Sequence, residues 1–124
     1  MIKSFYNEEY FNWQKSIGKF GGWANQTKFV EYITDEDVVL GFGCGGGFLL
    51  KNLRGKKKIE VEINHSAAET ARQNGIEVYN QVDDVSDDSV DVIISNNALE
   101  HTHYPLGELR NLYKKLKKGG IIVL

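Results

Sequence analysis

The stretch Val38 to Leu50, VVLGFGCGGGFLL, constrains the fold more than any other part of the chain. An apolar run meets glycine at positions 41, 43, 45, 46 and 47 and is apolar again at once. Glycine loses more backbone freedom on folding than any other residue, so it is unfavourable in regular structure unless a bend needs it. A tight turn from strand to helix needs one or two glycines. The surplus fits a turn whose bare main chain accepts a ligand, with the free N–H groups of the helix start facing it.

The remainder of the sequence extends this strand–turn–helix unit. DVVLGF reads as a short buried strand, GGFLLKNLRG as a helix closed by Gly55, and KKIEVEI as a second strand. NHSAAETARQNG reads as a helix capped by Asn64 or Ser66 and ended by Gly75. IEVYN is a third strand, QVDDVSDDS an acidic loop and VDVIIS a fourth strand. YPLGELRNLYKKLKKGG reads as a helix opened by Pro105 and closed by Gly119, with IIVL starting a fifth strand. Short apolar strands alternating with helices predict an α/β fold: a doubly wound, Rossmann-like parallel sheet with helices on both faces. Such sheets bind ligands beyond the carboxyl ends of their strands, where the glycine cluster falls.

Ahead of this core, Tyr6, Tyr10, Trp13 and Ile17 stand at helical spacing, and NQTKFVEYI reads as a second helix. The chain is therefore divided into an amino-terminal helical cap, residues 1–34, and a cofactor-binding core, residues 35–124, within one domain. The aromatic stripe serves as core packing and, over a ligand crevice, as a lid. At 124 residues, 41% hydrophobic and with a formal net charge of −2, the chain is one globular unit. Its charge sets up no field toward nucleic acid or an anionic membrane. The single cysteine, Cys44, excludes an intrachain disulfide and fits a reducing compartment. MIKSFYNEEYFNWQ lacks the apolar segment of a signal peptide, and no apolar run is long enough to span a bilayer, so the expected location is cytoplasmic.

Glu62 stands at the end of the second strand, about twenty residues beyond Gly41, where a carboxylate can accept both hydroxyls of a ribose. Glu60 points to the same face, with its role open. Gly41-x-Gly43-x-x-Gly46 with Glu62 satisfies the dinucleotide fingerprint, so an NAD-type oxidoreductase domain is one reading. A degenerate, non-catalytic binding module is another. Cys44 has no basic neighbour in sequence and reads as a small packing residue rather than a nucleophile. His101, His103 and Glu100 are too few and too local for a metal site, so no metal is expected. His65 reads as a surface residue. Lys114, Lys115, Lys117 and Lys118 read as the solvated end of the last helix.

GFGCGGG followed by VEIN, VDVIISNNALEH and LKKGGIIVL resembles a class I S-adenosylmethionine-dependent methyltransferase, of the broad kind that includes the type 11 and type 12 domains. That family carries an Asp where this chain has Gly41. The resemblance implies S-adenosylmethionine as cofactor, a methyl group as the cargo and an unidentified acceptor. It implies that the main chain at Gly41, Phe42, Gly43, Cys44 and Gly45 lies along the methionine part. Glu62 would hold the ribose, Ile63 would touch the adenine, Asp83 or Asp84 would approach the adenine amino group, and Asn96 would line the floor. His101 is placed near the transferring methyl, as a base, as a positioning group or as a plain loop residue. Relative to the family the chain stops within its fifth strand. That leaves IIVL as an apolar edge and predicts a homodimer through it.

Overall fold

The computed structural model describes residues 27–96 and 98–124. Five strands form one all-parallel sheet: β1 Val38–Phe42, β2 Lys57–Val61, β3 Glu77–Tyr79, β4 Val90–Ile94 and β5 Leu116–Val123. Their order is β3-β2-β1-β4-β5, so the chain winds outward from β1 in one direction and then returns to the other side of it. The topological switch falls between β1 and β4. Among the described residues the sheet is flanked by the helices α1 Phe48–Asn52, α2 His65–Gln73 and α3 Pro105–Lys115. Among the described residues no helix is long and apolar enough to cross a membrane.

The period of two along each strand separates two cores. Leu40, Phe42, Ile59, Val61 and Ile93 point to one face, where they meet Leu112 of α3 and Val82 and Val85 of the loop after β3. Val39, Val92 and Ile94 point to the other, against Leu49 and Leu50 of α1, Ala71 of α2, and Phe29 and Ile33. β1 and β4 are buried on both faces, which explains why they read as unbroken apolar runs. The doubly wound, Rossmann-like fold expected from the sequence is thus present. Of the expected cap, residues 27–29 are helical and lead into a 3-10 turn, Val30–Tyr32. The Tyr6, Tyr10 and Trp13 stripe lies outside the described residues.

One boundary differs from the sequence reading. The last helix does not run on to Gly119. It stops at Lys115, and Leu116 already pairs with Val90 at the start of β5. The loop before β4 ends it: the N–H groups of Asp88 and Ser89 donate to the carbonyls of Lys114 and Lys115 at 3.1 and 2.8 Å. Residues of the helix's last turn thereby find tertiary partners. Lys115 is consequently not on a solvated face. It is buried and donates to Asp87 Oδ1 at 2.7 Å. Lys117 lies in β5 and pairs with Asp91 at 3.4 Å.

Candidate functional site

The carboxyl ends of β1, β2 and β3 lie side by side. Gly43 N–H donates to Val61 O at 3.0 Å and Glu62 N–H to Tyr79 O at 2.9 Å, extending the ladders just past the strands. From there the glycine turn runs into α1. Gly43, Gly45 and Gly47 take φ of 65°, 76° and 80°, a left-handed conformation that side chains disfavour. Their surroundings differ. A Cβ on Gly43 would stand 2.7 Å from Ala98 Cβ, in the loop after β4, and one on Gly47 would press on Ala71 of α2 at 3.1 Å. A Cβ on Gly45 would meet nothing within 4 Å. At Gly45 the turn therefore leaves open space in front of a bare backbone.

Glu62 ties that point to β2. Its Oε1 accepts from Gly45 N–H at 3.2 Å and its Oε2 from Asn64 N–H at 3.1 Å. Asn64 in turn caps α2, accepting from Ala67 N–H at 2.9 Å. The side chain of Asn74, after α2, donates to Gly46 O at 2.9 Å and holds the far side of the turn. Ser95, buried after β4, donates to Phe42 O at 3.3 Å. Asn74 and Ser95 went unread in the sequence. Asn74 shows only the signature of a helix end, and nothing local marks Ser95.

Glu62 is only 9% exposed. Burial raises its carboxyl above the usual range, opposed by the N–H bonds from Asn64, Gly45 and Ile63. Its Oε1 and Oε2 both accept main-chain N–H groups, which fixes the carboxylate at the strand end. Glu60, two residues back, is fully buried. Its carboxyl is raised strongly, by burial first and by the Glu62 charge second. Burial, with Glu60 and Glu62 adding, also pushes the Cys44 thiol well up, which disfavours the thiolate a nucleophile requires. Cys44 packs instead: a Cβ on Gly41 would lie 2.8 Å from its Sγ.

The other expected contacts are spread along the same edge. Ile63 is 47% exposed immediately beyond Glu62, an apolar surface beside a carboxylate. Asp83 and Asp84 are exposed on the 3-10 turn Val82–Asp84 that follows β3. The Asp83 charge reaches Glu108 of α3, and that of Asp84 reaches Tyr79. Asn96 follows β4, and its Oδ1 accepts from Lys28 Nζ at 3.1 Å, joining the amino-terminal segment to the site. The Phe42 side chain is in the α3-side core, leaving its main chain alone to serve the site, and Gly41 is buried beneath Cys44 and Leu50. His101 closes the 3-10 turn Leu99–His101 at the surface. Among the described residues no three His, Cys, Asp or Glu converge as a metal site.

Fold and turn together define a doubly wound α/β domain with its glycine turn at the carboxyl ends of the strands, the end at which such folds bind ligands. The family described as "Methyltransferase domain" matches residues 10–124, and the chain belongs to it. That match decides against the dinucleotide oxidoreductase alternative, which the glycine spacing alone left open. Solved structures agree. A SAM-dependent methyltransferase from Thermotoga maritima is similar at 26% identity and TM-score 0.71, over 92% of this chain and 55% of that one. A TehB-like SAM-dependent methyltransferase from Corynebacterium glutamicum shares the fold at 15% identity and TM-score 0.73, over 94% and 72%. So does a chain of the Haloferax volcanii complex between the Trm112 methyltransferase activator and a methyltransferase, at 20% identity and TM-score 0.70, over 92% and 58%. This chain thus spans just over half the length of the Thermotoga and Haloferax chains. Among curated proteins nothing matches the chain.

Proposed function

We propose that the chain binds S-adenosylmethionine at the glycine turn and transfers its methyl group to an acceptor. The observation that carries this reading is the Glu62 carboxylate, bound at 3.2 Å to the N–H of Gly45, where a Cβ would meet nothing within 4 Å. A ligand lying on Gly45 has within reach a fixed carboxylate for vicinal hydroxyls and an exposed apolar side chain, Ile63, for a flat base. Asp83 or Asp84 offers a carboxylate to an exocyclic amine on the base. Asn96 contributes an amide at the floor, and the main chain from Gly41 to Gly45 lines the amino-acid end.

When bound, the cofactor supplies the activated methyl carbon. The protein's part is to hold two reactants in line and keep water out, which requires no covalent nucleophile. The high Cys44 thiol is consistent with that division of labour. Residues 1–34 serve in this reading as a cap over the crevice, supported by the Lys28–Asn96 bond. We extend the reading to assembly: among the described residues β5 pairs with β4 alone, and its Ile121 is 40% exposed, so a second copy adds to that edge. Light scattering showing a monomer mass at micromolar concentration would refute the dimer. The cytoplasm, a reducing compartment, suits the lone cysteine.

Calorimetric titration with S-adenosylmethionine, S-adenosylhomocysteine and NAD tests the core of the reading. The first two are expected to bind and NAD is not. Truncating Glu62 to Ala removes at least one charged hydrogen bond of about 1.5–3 kcal/mol, so the affinity should fall by at least roughly 10- to 100-fold. Equal affinity of wild type and Glu62→Ala for S-adenosylmethionine would sink the ribose assignment.

A further inference from the structure

Glu60 has 0% of its surface exposed, and among the described residues neither carboxyl oxygen meets a hydrogen-bond donor. Buried polar atoms are seldom left this way, because an unpaired group in the interior forfeits its hydration without recompense. Its surroundings explain the orphaning. Glu60 shares one face of the sheet with Glu62 and is in register with Gly41 of β1, which offers no side chain. The flanks are Cys44, whose Sγ lies 2.8 Å from where a Gly41 Cβ would stand, and the apolar residues of α1 and α2. Among the described residues, the polar side chain that interacts with it is Glu62, two residues on along the same face. Two ionised carboxylates are both acceptors and cannot bond to each other. Adding one proton removes the conflict.

We propose that Glu60 is a neutral carboxylic acid that donates its hydrogen to the Glu62 carboxylate, making Glu60 the positioning residue for the cofactor's sugar. Glu62 is then held both by main-chain N–H groups, those of Gly45 and Asn64 among them, and by Glu60. Its orientation toward a ligand no longer depends on the ligand. The pair carries one negative charge between two acids and titrates as a unit. This rests on the S-adenosylmethionine reading for its purpose but not for its chemistry, since the shared proton is a property of the ligand-free protein.

The groups facing Glu60 are few. Cys44 approaches from the glycine turn and Glu62 from its own strand. Lys58, two residues back on the same face, turns its ammonium to the Lys51 carbonyl at 3.4 Å. Lys51 of α1 and His65, Glu69 and Arg72 of α2 are at the surface. An acid whose folded form holds its proton more tightly than the unfolded chain stabilises the fold fully below the ordinary carboxylate range. That stabilisation is lost as pH rises toward the folded-state value, at up to tenfold in the unfolding constant per pH unit.

Three measurements on the whole chain test the proposal. In infrared difference spectra of ligand-free wild type against Glu60→Gln at pH 7, a protonated-carboxyl C=O band is expected, and its absence overturns the proposal. The band should move to higher wavenumber in Glu62→Ala, where the acceptor is gone; a band that stays put overturns the donation. Between pH 5 and 8 the wild type should lose stability while Glu60→Gln, whose amide donates without titrating, holds a flatter profile. Identical slopes overturn the proposal. For S-adenosylmethionine, Glu60→Gln should bind within about threefold of wild type and Glu60→Leu at least tenfold more weakly, on samples shown to be folded by circular dichroism. Equal affinity of all three overturns the positioning role. A wild type that carries the band and the slope but binds no S-adenosylmethionine would overturn the cofactor reading and uphold the shared proton.

Discussion

Gly41→Ala is the sharpest probe of how the turn is built, because the cost comes from packing and not from backbone conformation. Gly41 lies within β1 and is not among the positive-φ glycines, so alanine meets no dihedral strain there. The new Cβ, however, would stand 2.8 Å from Cys44 Sγ and 3.0 Å from Leu50 Cδ1. Ordinary carbon contacts lie near 3.5–4.0 Å, so each neighbour must retreat by roughly 0.5–1 Å. Leu50 is fully buried between α1 and the sheet and has nowhere to go. Overpacking of this kind costs about 1–3 kcal/mol. Lower freedom of the unfolded chain returns about 0.4–1 kcal/mol. The net expectation is a loss of about 1–2 kcal/mol, or roughly 3–8 °C in Tm for a domain of this size.

Urea unfolding followed by far-ultraviolet circular dichroism measures it, with an unchanged m-value expected. The cause is isolated by a double-mutant cycle with Cys44→Ala, which removes the closest atom. The double variant should be more stable than the sum of the single losses by at least about 0.5 kcal/mol. A Gly41→Ala protein as stable as wild type, or a cycle that is additive, would refute the claim that Cys44 fills the space a side chain at position 41 would take.

Two further outcomes can be checked alongside. Gly43→Ala combines a φ of 65° with a Cβ 2.7 Å from Ala98 Cβ, so a loss of about 2–4 kcal/mol is expected by the same urea assay, together with weakened S-adenosylmethionine binding. Asp87→Asn should flatten the acid limb of stability. The hydrogen bond and charge of Lys115 hold the Asp87 carboxyl below its usual range, so wild type has that stabilisation above the ordinary Asp range and loses it as pH falls through the lowered value. Thermal melts from pH 2 to 6 would show equally steep acid limbs for both proteins if this is wrong.

The strands were legible because burial on both faces writes itself as unbroken apolar sequence, as in VVLGF and VDVII. The glycine turn was legible because no regular element tolerates that composition. Asn64 as a cap and Gly75 as a helix end were legible for local reasons, since one side chain or one φ decides each. The end of α3 was not. Nothing in NLYKKLKKGG shows that Asp88 and Ser89, more than 25 residues earlier, bond to the carbonyls of Lys114 and Lys115. The burial of Lys115 follows from the same contact and was hidden for the same reason. Glu60 is the converse case. Its position on the Glu62 face was readable from a period of two, but its isolation depends on Gly41 of β1 and Cys44 of the glycine turn arriving beside it.

These details combine into one constraint on the site. Where the resembled family carries an acid on the first strand, this chain carries none, and the acid in register on the second strand is buried instead. Two carboxyls and a thiol then lie together under the turn; burial pushes all three toward their neutral forms, and the Glu62 charge pushes Glu60 and Cys44 further the same way. Only Glu62 has N–H donors that favour the charged form, so the single negative charge settles there, at the crevice, and not on Glu60 behind it. An Asp at position 41 would add a third carboxyl to a volume that already excludes the second charge. The bare residue at 41 and the neutral acid at 60 are therefore two parts of one arrangement, which delivers one fixed carboxylate to the open side of Gly45.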